Sequence, residues 1–185
     1  MSDLARDDKQ HQKCQAIFQR WYPGFRDAGQ RYQDILQSLI EQQKTLLDLG
    51  CGRMSLAAEQ IGRAGLVVGI DPSLVDLIHN RDVNHRVGGS GEMLPFPSSS
   101  FDLIVSQWTV EHLARPQVVF DEMARILRPG GRAVVFTTNA NNYIPLASRI
   151  IPDQLQDALI ERLLRRPTHE TFPTYFRANT RRRLE

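Results

Sequence analysis

Leu47-Asp48-Leu49-Gly50-Cys51-Gly52-Arg53 is the stretch on which the fold turns. A short apolar run, Thr45 to Leu49, stops at two glycines one residue apart. Glycine lets the backbone turn through conformations closed to other residues, and it lets a ligand approach without a Cβ in the way. Free amides at the start of a following helix suit a carboxylate or phosphate. A plain turn explains a Gly-x-Gly equally well, so the flanking pattern has to decide. Outward from this stretch, apolar runs alternate with helical patterns. Leu56 to Ile61 reads as helix, and Leu66 to Ile70 as a second strand closed by Asp71-Pro72. Leu74 to Ile78 is again helical, and His85 to Val87 and Phe101 to Ser106 read as strands. Pro116 to Leu127 places Val119, Phe120, Met123, Ile126 and Leu127 at helical spacing, with Pro129-Gly130-Gly131 as a stop. Ala133 to Thr137 is a fifth strand.

Strands that are apolar throughout, separated by helices, predict a parallel sheet buried on both faces. Parallel strands need right-handed crossovers. The expected architecture is therefore a doubly wound, Rossmann-like α/β fold with a mostly parallel sheet. Such sheets bind ligands beyond the carboxyl ends of their strands, so the chemistry is sought there.

Composition agrees with a single soluble domain. The chain has 185 residues, 41% hydrophobic and 24% charged, with a net charge of +2. Residues 151–185 hold seven Arg against five acidic residues, so the rest is neutral. That balance gives no nucleic-acid signal, and the run Arg181-Arg182-Arg183 reads as a solvated helix face. Cys14 and Cys51 form no CxxC pair, and His11, His79, His85 and His169 show no ligand spacing, so neither a disulfide nor a metal site is expected. No apolar run is long enough to span a membrane, and Met1 to Arg20 has no signal-peptide core. The expected location is the cytoplasm.

Two segments flank the core. Residues 1–43 read as a helical lid or cap broken at Pro23-Gly24, with Trp21 and Tyr22 as lid aromatics; residues 44–185 form the core. Ile151, Leu155, Leu159 and Leu163 make an apolar stripe beside Arg162, Arg165 and Arg166. The stripe reads as a helix packed on the core. Peripheral membrane contact through residues 150–166 is the alternative.

Asp71 lies 21 residues after Gly50, at the end of the second strand. A carboxylate there accepts hydrogen bonds from ribose hydroxyls, or else caps a helix beginning near Ser73. Together with the glycines it favours a nucleoside. A dinucleotide would want a third glycine where Ser55 stands, and Asp48 would repel its pyrophosphate. An ammonium group would be welcome beside Asp48, which points to S-adenosylmethionine.

The order LDLGCG, GIDPS, GEMLPFPSSSFDLIVSQWTVEHL, LRPGG resembles the class I S-adenosylmethionine-dependent methyltransferases over about residues 44–138. The resemblance implies a seven-stranded sheet, of which five strands are visible here. It implies that Asp48 and the Gly50-Cys51-Gly52 backbone face the methionine part of the cofactor. It gives Asp71 the ribose hydroxyls, Pro72 a place beside the adenine, Ser90-Gly91-Glu92 the adenine edge, and Gln107 the methyl end. Three departures stand out. Met54 replaces a third glycine and must either crowd the loop or point away. Ser90 stands where relatives often carry Asp. Residues 172–180 resemble the entry to the last helix, and strands six and seven are not seen, so either the sequence is a piece cut short within the core or a partner or swapped segment is expected to complete the sheet and cover the fifth strand's edge.

Methyl transfer needs a general base only when the acceptor must lose a proton. His112, after the fourth strand, is the candidate catalytic residue. Glu111 is expected to cap, or to pair with Arg115. Asn139, Asn141, Asn142 and Tyr143 follow the fifth strand, where an acceptor pocket would lie. The flanking helices suggest a small-molecule or lipid-like acceptor. The competing readings are a cofactor-binding or scaffold protein without turnover, and a nicotinamide dehydrogenase.

Overall fold

The structure is a computed structural model that describes residues 13, 14, 16–41, 44–141, 173–180 and 182. The first long helix, α1 (Ala28–Leu39), begins in a reciprocal cap. Asp27 Oδ1 accepts from Gln30 N at 2.8 Å, and Gln30 Oε1 accepts from Asp27 N at 3.1 Å. Then follow β1 (Thr45–Leu49), α2 (Ala58–Ile61), β2 (Leu66–Asp71), α3 (Leu74–His79) and β3 (His85–Gly88). A second half adds β4 (Phe101–Gln107), a single 3-10 turn (Val110–His112), α4 (Pro116–Ile126) and β5 (Leu127–Phe136).

The five strands form one parallel sheet in the order β3-β2-β1-β4-β5. The chain runs outward from β1 to β3, then returns to β4 on the other side of β1. That reversal opens a crevice beyond the carboxyl ends of β1 and β4, which is where this class of sheet binds ligands.

Strand alternation divides the core in two. Leu46 packs on one face with Val67, Leu103 and Val105, beneath Tyr32 and Leu36 of α1. Leu47 and Leu49 pack on the other with Ile70 and Ile104, beneath Val119, Met123 and Ile126 of α4. Tyr32 also stacks on Phe136 at 5.2 Å, so α1 belongs to the core.

The predicted elements shift at their edges. Pro129-Gly130-Gly131 stops α4 as expected, but β5 already starts at Leu127 and includes those residues. Its register slips between Phe101 and Leu103, with Gly130 at φ +80°, so a bulge absorbs the proline. The predicted helix from Leu56 shrinks to one turn, because Ser55 and Leu56 are held by side chains from elsewhere. Residues 173–180 are irregular, with no helical turn, and cross the sheet's carboxyl end. The stripe at 151–163, Asn142 and Tyr143 lie outside the described residues. Among the described residues no helix is long and apolar enough to cross a membrane.

Ile104 is fully buried at the centre of the sheet. Ile104→Ala is expected to cost about 2–5 kcal/mol, read from urea unfolding, since a packed site between sheet and helix collapses poorly around a cavity. A loss below about 1 kcal/mol would contradict this packing.

Candidate functional site

The glycine loop is built by hydrogen bonds from the next strand. Gly50 N and Cys51 N both donate to Ile70 O, at 2.8 and 3.3 Å. Gly50 has φ +74°, and a Cβ there would come within 2.2 Å of Thr109 Oγ1, so only glycine fits. Gly52 has φ +48°, and a Cβ on it would meet nothing within 4 Å. The loop therefore presents bare backbone to open space.

Asp71 fixes that loop. Its Oδ2 accepts from Gly52 N at 2.9 Å and its Oδ1 from Ser73 N at 2.7 Å. Each carboxylate oxygen accepts more than one hydrogen bond, so both retain capacity for a ligand's hydroxyls. The α3 cap is supplied separately, by Ser73 Oγ accepting from Asp76 N at 3.3 Å. Asp71 is therefore not the cap of α3, which leaves the hydroxyl-acceptor reading compatible with its geometry.

A second brace was invisible in the sequence. Asn80 is fully buried, and its Nδ2 donates to Cys51 O and Gly52 O, both at 3.0 Å. Asp82 Oδ2 accepts from Ser55 N at 2.8 Å. Residues just after α3 therefore clamp the loop after β1. No local pattern marks them, because the contacts span almost thirty residues.

Beyond the strand ends lies a cleft of about 460 Å³. Gly50, Gly52, Asp71, Pro72, Ser90, Gly91 and Glu92 line one part of it, and Trp108, Thr109, His112, Leu113 and Tyr175 another. Seven of the predicted cofactor residues and His112 thus meet in one place. Asp48, Cys51 and Gln107 do not line it. Cys51 is buried beneath the loop. Gln107 Oε1 accepts from Leu56 N at 2.9 Å, holding the segment after the loop. Met54 is 73% exposed, so its side chain points away and leaves the loop uncrowded. Trp21 and Tyr22 are exposed and line no part of the cleft.

Asp48 is the electrostatic anomaly. It is fully buried, and neither carboxylate oxygen has a hydrogen-bond partner among the described residues. Burial pushes its pKa up to about 7, and the nearby charges of Asp82 and Asp71 push the same way. Burial and the Asp48 charge also raise the Tyr32 hydroxyl and the Cys51 thiol. The Asp71 and Asp82 carboxylates thus flank the loop, and Asp48 adds its charge only as pH rises through about 7, a field that repels pyrophosphate and suits a cationic ligand.

On the acceptor side, the expected pairing of Glu111 with Arg115 does not form. Arg115 Nε donates to Glu92 Oε2 at 3.0 Å on the cleft rim. Glu111 is buried and accepts from Thr137 Oγ1 at 2.6 Å and Thr138 Oγ1 at 3.3 Å. The distance explains the difference: one turn of 3-10 helix aims Glu111 at the end of β5. Its carbonyl accepts from Tyr175 N at 2.7 Å and Phe176 N at 3.2 Å. Asn139 and Asn141 form a local turn, Asn141 N donating to Asn139 Oδ1 at 2.9 Å. Among the described residues no group of three His, Cys, Asp or Glu comes together to hold a metal.

A model of the methyltransferase domain matches residues 47–135. By that match residues 47–135 are similar to a methyltransferase domain. The chain is 30% identical over 125 residues to the biotin biosynthesis bifunctional protein BioHC of Cellvibrio japonicus, covering 65% of this chain and 25% of that one. It is 32% identical over 124 residues to the arsenite methyltransferase of Halobacterium salinarum, covering 60% of this chain and 32% of that protein. The chain thus spans about a quarter to a third of the length of these two relatives. A solved S-adenosylmethionine-dependent methyltransferase from Aquifex aeolicus shares the fold, with TM-score 0.54 and 17% identity over 71% of this chain and 77% of that one. S-adenosylmethionine is the cofactor of this methyltransferase family. The site fits it: a bare-backbone cradle, a carboxylate with spare acceptor capacity, and a field that favours cations.

Folding raises Asp48 from its ordinary 3.8 to about 7, so the native protein binds that proton more tightly than the unfolded chain. The contribution is fully present below pH 3.8 and is lost as pH rises through about 7. Urea unfolding from pH 5 to 8 is expected to show stability falling relative to Asp48→Asn. Parallel curves for the two proteins would contradict a protonated Asp48.

Proposed function

We propose that the chain moves a methyl group from S-adenosylmethionine to a small molecule. The observation that carries this reading is one cleft joining two unlike walls. Asp71, Pro72 and Ser90 follow β2 and β3, while Trp108 and His112 follow β4, on the other side of β1. A nucleoside and a second molecule would meet over β1. Two similar proteins are named for small-molecule chemistry, an arsenite methyltransferase and a biotin biosynthesis protein, which supports the acceptor class.

Bound in the cleft, S-adenosylmethionine supplies a methyl group on a positively charged sulfur. The chain's part is chiefly placement, which in favourable models is worth on the order of 7–11 kcal/mol. Asp71 would hold the ribose hydroxyls while keeping its bond to Gly52 N. Glu92, drawn below the usual carboxylate range by its bond to Arg115, stays charged where the adenine edge would lie.

His112 is the residue proposed to move a proton. Its Nδ1 lies 3.0 Å from Pro173 O. A carbonyl only accepts, so Nδ1 carries the hydrogen that faces it. A hydroxyl acceptor would lose its proton to the imidazole. The exposure of Met54 removes one of the three departures behind the reading without turnover and leaves the other two standing.

S-adenosylhomocysteine is expected to bind in isothermal titration, and Asp71→Asn to weaken it about 10- to 100-fold, the value of one or two charge-assisted hydrogen bonds. A change within about twofold, or no heat from the unaltered protein at high micromolar ligand, would contradict the assignment.

A further inference from the structure

Two aromatic side chains stand at the acceptor end of the cleft with about half their surface uncovered: Trp108 at 51% and Tyr175 at 44%. Neither is there by default. Trp108 has φ +50°, a left-handed backbone that costs a bulky residue strain. Phe176, next to Tyr175, has φ +49°. Among the described residues only three non-glycine residues have positive φ, and the third, Ser99, lies in a polar turn at the other end of β4. Two of the three strained positions therefore aim an aromatic side chain, or its neighbour, at this cleft.

The surroundings enforce both positions. Trp108 N donates to Phe136 O at 2.8 Å, and the Trp108 ring meets Phe136 edge-on at 5.7 Å. Tyr175 hangs on the Glu111 carbonyl, and the buried Glu111 carboxylate is itself held by Thr137. Asn179 Nδ2 closes the loop by donating to Thr137 Oγ1 at 2.6 Å. The Arg177 guanidinium lies 5.4 Å from the centre of the Tyr175 ring, a cation–π contact that steadies it. An alkyl chain would be served by leucines in any rotamer. Rigid rings held against strain match a flat partner, which gains stacking that an alicyclic body of equal size cannot.

We propose that the acceptor is a planar, ring-bearing small molecule that stacks on Trp108 and Tyr175. This deepens the methyltransferase reading above and depends on it. The test uses the full chain saturated with S-adenosylhomocysteine. Two probes of matched size are titrated by calorimetry: 2-naphthol, which is flat, and decahydro-2-naphthol, which is not. The unaltered protein is expected to prefer 2-naphthol by about tenfold. Trp108→Leu and Tyr175→Leu, which keep apolar bulk, are each expected to cut that preference to about threefold or less. Because both probes are measured on one preparation, partial misfolding cancels from the ratio. Absent naphthol binding, equal affinity for the two probes, or a preference untouched by both substitutions overturns the proposal. Failure of S-adenosylhomocysteine to bind overturns the methyltransferase reading instead.

Discussion

Gly52 N donates to Asp71 Oδ2 at 2.9 Å, and the rest of the site depends on that bond. It joins the end of β2 to the loop after β1, across a gap that backbone pairing alone leaves open past Cys51. Asn80 holds the same loop from below through the carbonyls of Cys51 and Gly52. Between them the two side chains fix a backbone whose glycines adopt φ values few other residues tolerate. A preformed cradle binds more tightly than one that must be ordered on contact. On the proposed reading Asp71 has two tasks, and the one the structure shows, holding Gly52 N, prepares the other.

Charge is distributed unevenly around this frame. Burial above all, and then the charges of Asp82 and Asp71, hold the Asp48 proton near neutrality. Such an arrangement destabilises the loop slightly and favours a cation, in keeping with the tendency of functional sites to retain local strain. The opposite wall is neutral and aromatic. Glu111, although acidic, is buried in hydroxyl contacts with Thr137 and Thr138, so its work is to tie the end of β4 to the end of β5 and to residues 173–180.

The fold was legible because its signals are local. Thr45 to Leu49 and Leu66 to Ile70 are buried along nearly their whole length and mostly apolar, as strands covered on both faces must be, with Asp48 the charged exception, and each ends in residues that cannot continue it. The Gly50, Gly52, Asp71 and Ser90-Gly91-Glu92 group was legible for a related reason: in a parallel sheet, residues that follow successive strands gather at one end. What stayed hidden was long-range. Asn80 and Asp82 look like ordinary post-helix polar residues until they are seen clamping a loop far away in sequence. The i+4 spacing of Glu111 and Arg115 promised an ion pair, but that rule needs an α-helix, and the turn there is a single 3-10 turn. Tyr175 carried no signal at all, since its place depends on a backbone bond to Glu111.

The most direct measurement is a crystal structure of the chain with S-adenosylhomocysteine. The account predicts both ribose hydroxyls within about 2.5–3.0 Å of the Asp71 carboxylate, with the Gly52 amide still bonded to it. A ribose seated elsewhere, or an Asp71 side chain that abandons Gly52 to reach it, would contradict the account.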